Sequence, residues 1–293
     1  MSETRRRWLA IVNSACDGMR NREFRETWLR RLRYGATKVV ICEGAGEAPH
    51  IIADASDFDG IAVVGGDGTV FDVLPALDPG RHCLTVFPAG RGNSLARAMG
   101  FSSMPLALAG LRYGVEQPMD LLLLRAKHAD GSTRQAVCAS TIAMGYVAAV
   151  VARAQGGSGL HSYTLAAAMT KPERREIQVS YDGGAPRTRS LTGLVISNID
   201  YAAQYRAFPD ARLNDGLLHA VELDAPQWRQ LGYNLAMLAG IGFKKSRHKG
   251  KSVQVRSATP FPLMADGEIW NGITEFSVDC VAGAILCNRS ADL

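Results

Sequence analysis

The stretch Ile61-Ala-Val-Val-Gly-Gly-Asp-Gly-Thr-Val70 carries the first strong signal in the chain. Ile61 to Val64 read as a buried strand, because a short unbroken apolar run suits a strand covered on both faces. Gly65, Gly66 and Gly68 then flank Asp67, and Thr69 stands where a cap would open a helix over Thr69 to Leu77. Glycines serve where backbone N–H groups must reach phosphate oxygens with no Cβ in the way. The helix amino terminus adds partial positive charge. Asp67, at the apex, is placed to hold Mg²⁺ directly or through water. A lone glycine turn needs no ligand, but this many special residues at the end of one strand favour a phosphate loop.

A second stretch repeats the logic: Val86-Phe-Pro-Ala-Gly-Arg-Gly-Asn-Ser-Leu-Ala-Arg97. Gly90 and Gly92 open the backbone, Asn93 and Ser94 suit a helix start, and Arg91 offers a bidentate clamp for phosphate. A capped surface helix with a solvated arginine is the plain alternative, and the presence of two such loops argues against it. Around them, strand-like and helix-like segments alternate. Trp8 to Val12, Lys38 to Cys42, Ile61 to Val64 and Cys83 to Phe87 read as strands. Arg22 to Tyr34 and Asn93 to Met99 read as helices. The alternation predicts a doubly wound α/β nucleotide-binding domain with ligands at the carboxyl ends of its strands.

The pattern changes after Asp120. Leu121 to Arg125, Ala136 to Met144, Ile177 to Tyr181, Leu191 to Ile199, Leu217 to Leu223, Ser252 to Arg256, Thr274 to Asp279 and Ala284 to Asn288 read as strands, with Asp182-Gly183-Gly184 as a hairpin turn. Only Tyr163 to Met169 and Gln227 to Ala239 read as helices. The expected fold is α/β overall, with an N-terminal α/β domain over residues 1–124 and a mainly-β sandwich over 125–283. Residues 284–293 form a C-terminal segment free to return to the first domain.

Composition narrows the class. The 293 residues are 47% hydrophobic and 21% charged, with 30 glycines and a net charge of +5. That is a globular balance, and the mild basicity suits anionic substrates or a membrane surface. No aromatic-interleaved basic stripe points to nucleic acid. The six cysteines show no metal spacing, which suits buried thiols in a reducing compartment. The six histidines read as structural or exposed. Trp8 to Val12 is too short for a signal peptide, and Leu235 to Phe243 too short to span a bilayer. The expectation is a cytoplasmic protein with peripheral membrane association, for which Leu231 to Phe243 followed by Lys244, Lys245, Arg247, Lys249 and Lys251 is the candidate docking segment; a packed helix with a solvated basic loop is an equal alternative. The oligomeric state is open, a homodimer included.

Gly65-Gly66-Asp67-Gly68-Thr69, followed by Pro88-Ala-Gly-Arg-Gly-Asn-Ser-Leu-Ala96, resembles the nucleotide-binding signature of the diacylglycerol kinase, sphingosine kinase and ceramide kinase superfamily. Asp120 is similar to an acidic residue near that family's hinge, Asp215-Gly216 to its structural metal segment, and Asp266-Gly267-Glu268 to a late Asp-Gly-Glu of its catalytic cleft. The resemblance implies an ATP-dependent lipid kinase with ATP and Mg²⁺ as cofactors and a neutral lipid of the ceramide or diacylglycerol class as acceptor, bound in an interdomain cleft. It implies Asp266 or Asp67 as the base. Asn13, Gly65, Gly66, Asp67, Gly68, Thr69, Gly90, Arg91, Gly92, Asn93, Ser94 and Glu268 would contact nucleotide, and Asp67, Asp120 and Asp215 the metal. The plain alternative for Asp266-Gly267 is a hairpin turn. Departures from the family pattern are the first loop, Asn13-Ser-Ala-Cys-Asp17-Gly18, which lacks the usual proline, and Phe71-Asp72 in place of Asn-Glu. The alternatives are an NAD-kinase-like enzyme acting on a soluble substrate and a non-catalytic lipid-binding homologue.

Overall fold

The computed structural model describes residues 6–154, 160–202, 205–224 and 248–291. The chain divides into two compact units, Met1–Met119 with Gly283–Leu293, and Asp120–Ala282.

In the first unit, β1 (Trp8–Asn13), β2 (Lys38–Cys42), β3 (Gly60–Gly65) and β4 (Cys83–Pro88) form a parallel sheet in the order β2-β1-β3-β4. β1 and β3 are buried along their whole length, as expected of parallel strands covered on both faces. Gly60 opposes Trp8 in register, and a Cβ there would lie 2.4 Å from the indole ring. The helices are α1 (Arg22–Leu32), α2 (Ala48–Ala53), α3 (Asp67–Val73), α4 (Ser94–Ala98) and α5 (Met104–Tyr113). α1 opens on Asn21, whose side chain accepts the Phe24 N–H at 3.0 Å, and it buries Trp28 and Leu32. β3 runs into α3 and β4 into α4, so both glycine loops leave adjacent parallel strands at their carboxyl ends, where Gly65 opposes Pro88. At the far end of the chain, Leu286 and Cys287 pair in parallel with Cys83 and Leu84. Asn288 Nδ2 donates to Gly110 O at 2.8 Å, tying the last residues to α5.

The second unit is strand-rich. Its elements are β5 (Val115–His128), β6 (Thr133–Cys138), β7 (Thr141–Gly145), α6 (Tyr146–Ala154), α7 (Leu160–Met169), β8 (Arg175–Tyr181), β9 (Arg187–Leu191), β10 (Gly193–Ser197), β11 (Leu218–Leu223), β12 (His248–Gly250), β13 (Ser252–Ala265) and β14 (Glu268–Arg289), except that β5 up to Met119 and β14 from Gly283 belong to the first unit. Pairing is antiparallel, in the order β12-β11-β10-β7-β13-β14, with β9 on β8 and β6 on β5. Irregular register between Arg256 and Leu263 lets β13 serve two neighbours: Val253 to Ser257 pair with β8, and Leu263 to Ala265 with β7. A bulge bends a strand and increases its twist, which is what changing partners requires.

Several boundaries differ from expectation. Ala136 to Met144 is two strands, because Ala139 and Ser140 leave the ladder, and Leu191 to Ile199 likewise breaks at Thr192. Thr274 to Asp279 and Ala284 to Asn288 belong to one long strand. α6 was not expected: Gly145, at φ 72°, ends β7 and turns the apolar residues after it into a helix. The expected helix Gln227 to Ala239, the run Leu231 to Phe243, and Lys244, Lys245 and Arg247 lie outside the described residues. Among the described residues no helix is long and apolar enough to cross a membrane.

Candidate active-site elements

The two glycine loops touch through their backbones. A Cβ on Gly90 would lie 2.4 Å from the Cα of Gly66, and one on Gly66 would lie 3.0 Å from the Cα of Gly90. A side chain at Gly90 therefore meets backbone that cannot swing aside. Gly65 is equally constrained, since a Cβ there would come 2.5 Å from Thr69 Oγ1. The first loop joins the pair: Gly18 N–H donates to Ala89 O at 2.8 Å. Asn13 Nδ2 donates to Thr69 Oγ1 at 2.9 Å, while Asn13 Oδ1 accepts the Ala15 N–H at 2.9 Å. Thr69 is thus not the cap of α3. Gly66 holds that position, and Thr69 lies one turn inside, facing the Asn13 loop.

Asp67 joins the second loop to α3. Its Oδ2 accepts Ser94 N–H at 3.1 Å and Ser94 Oγ at 3.2 Å, and its Oδ1 accepts Leu95 N–H at 3.2 Å. An internal carboxylate therefore stands at the start of α4, where the sequence reading expected a phosphate oxygen. Asn93 does not cap α4 with its side chain. It sits at φ 54° and closes on Gly90 instead, accepting the Gly90 N–H at 2.8 Å and donating to Gly90 O at 2.7 Å. Asp67 keeps some exposed surface while its carboxyl is packed among loop atoms. Burial pushes that carboxyl above the usual aspartate range, and the Ser94 and Leu95 donors offset only part of the rise. Arg91 is already paired: its Nε lies 2.6 Å from Asp17 Oδ2, and Arg20 approaches the other oxygen of Asp17 at 3.4 Å. Gly68 and Gly92 lie half-buried in the same two loops. Asp17 was not singled out in the sequence, because nothing in the spacing connects residues 17 and 91.

In the second unit Asp266 and Gly267 are the two turn residues between β13 and β14, at φ 46° and 98°. The hairpin reading of this pair is thus physically present. The Asp266 side chain does more than turn. Its Oδ2 accepts Ala139 N–H at 2.6 Å, and its Oδ1 accepts Ser140 N–H at 3.0 Å, Ser140 Oγ at 2.6 Å and Thr141 N–H at 2.8 Å. This buried carboxylate satisfies the short break between β6 and β7 that no strand ladder serves. Glu268 starts β14 and is exposed. Asp120 is buried and accepts Gly216 N–H at 2.6 Å, and its carbonyl accepts Asn198 Nδ2 at 2.7 Å. Asp215 accepts Leu217 N–H at 3.0 Å and faces His219 Nε2 at 3.0 Å. His219 is fully buried between Asp215 and Asp210, so it is a structural histidine.

A resident metal fits these residues poorly. Among the described residues no group of three or more His, Cys, Asp or Glu side chains is arranged to hold one. Asp67, Asp120 and Asp215 each face N–H donors of the protein, and Asp215 an imidazole as well.

Residues 7–124 match the family described as the diacylglycerol kinase catalytic domain. Over those residues the chain is similar to diacylglycerol kinases. A diacylglycerol kinase of Bacillus subtilis is 28% identical over 194 residues, 62% of this chain and 60% of that protein. A probable lipid kinase, YegS-like, of Pseudomonas putida is 28% identical over 235 residues, 76% of each chain. The solved structure of a diacylglycerol kinase from Bacillus anthracis superposes with a TM-score of 0.77 at 18% identity, covering 100% of this chain and 99% of that one. The last comparison establishes the fold: an α/β unit followed by a strand-rich unit. The names of these kinase relatives support a transferase of the kinase type.

Proposed function

We propose that the chain is an ATP-dependent lipid kinase that moves the γ-phosphoryl group of ATP to the hydroxyl of a neutral lipid, releasing ADP. The observation that carries this reading is the Gly66–Gly90 backbone contact, sealed by Asp67, within residues related to a diacylglycerol kinase catalytic domain. Two loops locked together hold N–H groups and Arg91 in a fixed array. Phosphoryl transfer depends mainly on such positioning and on charge compensation. Magnesium, in this reading, arrives as the counter-ion of the nucleotide and not as a resident of Asp67, Asp120 or Asp215.

One proton must leave the acceptor hydroxyl as the new P–O bond forms. Asp266 is our candidate for its acceptor and Asp67 the rival. Both Asp266 oxygens are engaged, but the Ser140 hydroxyl on Oδ1 can rotate away, and a substrate hydroxyl taking its place would lie within reach of the base. Preference for a neutral acceptor is supported by α6, where Val147, Ala148 and Ala149 provide no carboxylate for a substrate ammonium. An ammonium enclosed without a partner carries a penalty of about several kcal/mol. Peripheral membrane association in the cytoplasm belongs to the same proposal, because the acceptor resides in a bilayer. Of the candidate docking cations, Lys249 is paired with Asp210 at 2.7 Å.

The test is turnover of labelled ATP against diacylglycerol, ceramide and sphingosine side by side. Transfer to a neutral lipid is expected, and a clear preference for sphingosine would overturn the acceptor assignment. The Asp17–Arg91 pair and the altered Asn13 loop favour a second reading, a homologue that binds lipid without turning over. Nucleotide-independent lipid binding with no transfer to any of the three would select it.

A further inference from the structure

The second unit also contains a concave polar groove of about 580 Å³ that none of the residues above enters. It lies where β9, paired with β8 alone among the described residues, meets β11 and the short β12. Arg174, Arg187 and Arg189 line it, with Glu222, Asp224 and His248. Three guanidinium groups thus face two carboxylates, one positive charge in excess. Arg174 donates to two carbonyls, Ser190 O at 3.1 Å and Asp224 O, which orient its guanidinium without neutralising it. Glu222 is held by the Tyr181 hydroxyl at 2.9 Å and reaches Arg189 only at 3.9 Å. Arg187 makes no side-chain hydrogen bond or ion pair among the described residues. The His248 ring stacks on Tyr181 with centroids 3.9 Å apart, and its Nε2 lies 3.2 Å from Asp182 Oδ2, so one wall is rigid.

Arginines spread on a convex face are simply solvated. Here they converge on a hollow, which focuses positive potential and leaves like charges uncompensated until an anion enters. The planar guanidinium fork matches the oxygens of phosphate. The lining is polar, so a wholly apolar ligand finds little surface to bury. We propose that this groove binds a phosphate group, carried by a phospholipid headgroup or a soluble phosphate monoester, with Arg187 and Arg189 as its ligands and Arg174 as fixed charge. The elements that build it are different from those of the nucleotide loops, and the proposal stands whether or not the chain is a kinase.

The experiment uses the full chain in two arms. In the first, glycerol 3-phosphate is titrated by calorimetry. In the second, the protein is sedimented with vesicles of phosphatidylcholine alone and of phosphatidylcholine mixed with phosphatidate. The comparison is the Arg187→Ala/Arg189→Ala variant, both positions being exposed strand residues whose truncation leaves core contacts intact. Arg187→Lys/Arg189→Lys, which retains the charge, is the control for folding. The alanine pair should weaken binding about 10-fold or more in whichever arm shows it, while the lysine pair, which keeps the charge and loses the fork, weakens it less. Binding in the first arm identifies a soluble monoester as sufficient, and phosphatidate-dependent binding in the second alone identifies the headgroup. Absence of binding in both arms overturns the site. So does binding that survives the alanine pair undiminished, since the phosphate would then sit elsewhere, for instance on the nucleotide loops.

Discussion

Asp67 and Asp266 perform one mechanical task in two different units. Each stands after an apolar strand, and each turns its carboxylate onto backbone N–H groups of a segment distant in sequence. The difference lies in what remains free. Asp67 accepts from Ser94 and Leu95 and keeps some exposed surface. Asp266 accepts from Ala139, Ser140 and Thr141, is buried, and holds a left-handed backbone to do so. Exposed surface leaves Asp67 within reach of water and of a proton, whereas buried Asp266 must give up a hydrogen bond before it can take either. An aspartate in a glycine-rich motif can therefore be chiefly a brace, and its chemical freedom depends on how far solvent reaches it.

The largest effect expected from this contrast is on stability. Asp266→Ala strands several buried donors at residues 139–141 and should cost about 3–5 kcal/mol, read from denaturant melts. Asp67→Ala, whose donors lie nearer solvent, should cost clearly less. Equal losses would break the comparison.

Next comes turnover. Asp67→Asn should lower kcat on the order of 10²-fold or more with a near-native melt, because the amide offers one acceptor oxygen to the Ser94 and Leu95 donors that the carboxylate holds with two, and a small misplacement of a phosphate loop costs that much. The same variant tests the electrostatics. Burial raises the Asp67 carboxyl in the folded chain, so its protonation favours folding. That contribution is fully present below the unfolded value of about 3.9 and is lost as pH rises through the higher folded value. The stability of wild type minus that of Asp67→Asn should thus fall with rising pH across the mildly acidic range and level off above it. A flat difference across that range means the carboxyl is not raised.

The smallest effect concerns Arg91. Arg91→Ala should raise the KM for ATP, and Asp17→Ala should lower it by a few fold, because an exposed ion pair is worth only about 0.2–1 kcal/mol. An Asp17→Ala enzyme with a raised KM would mean that Asp17 orients Arg91 for the nucleotide instead of competing with it.

The sequence carried the sheet of the first unit well, since buried parallel strands such as Ile61 to Val64 are continuous apolar runs that hardly resemble anything else. It carried the positions of the glycine loops for the same reason. It did not carry partnerships across the chain. Asp67 with Ser94, Arg91 with Asp17, and Asp266 with residues 139–141 are set by tertiary packing, and no local spacing encodes them. α6 was hidden because Val147 to Val151 suit strand and helix alike until Gly145 fixes the turn before them. His219 was read as structural or exposed, and only its neighbours Asp210 and Asp215 decide between the two.

The Gly66–Gly90 contact has a consequence for genetics. Most packed pairs can drift together: one side chain shrinks, its neighbour grows, and paired changes across a lineage record that the two touch. Two glycines in backbone contact have nothing to shrink, so no second change can rescue a side chain gained at Gly90. Selection can act there only by removal. The closest meeting of the two loops should therefore leave no covariation at all, and a map of contacts inferred from paired substitutions would show a gap where the chains come nearest.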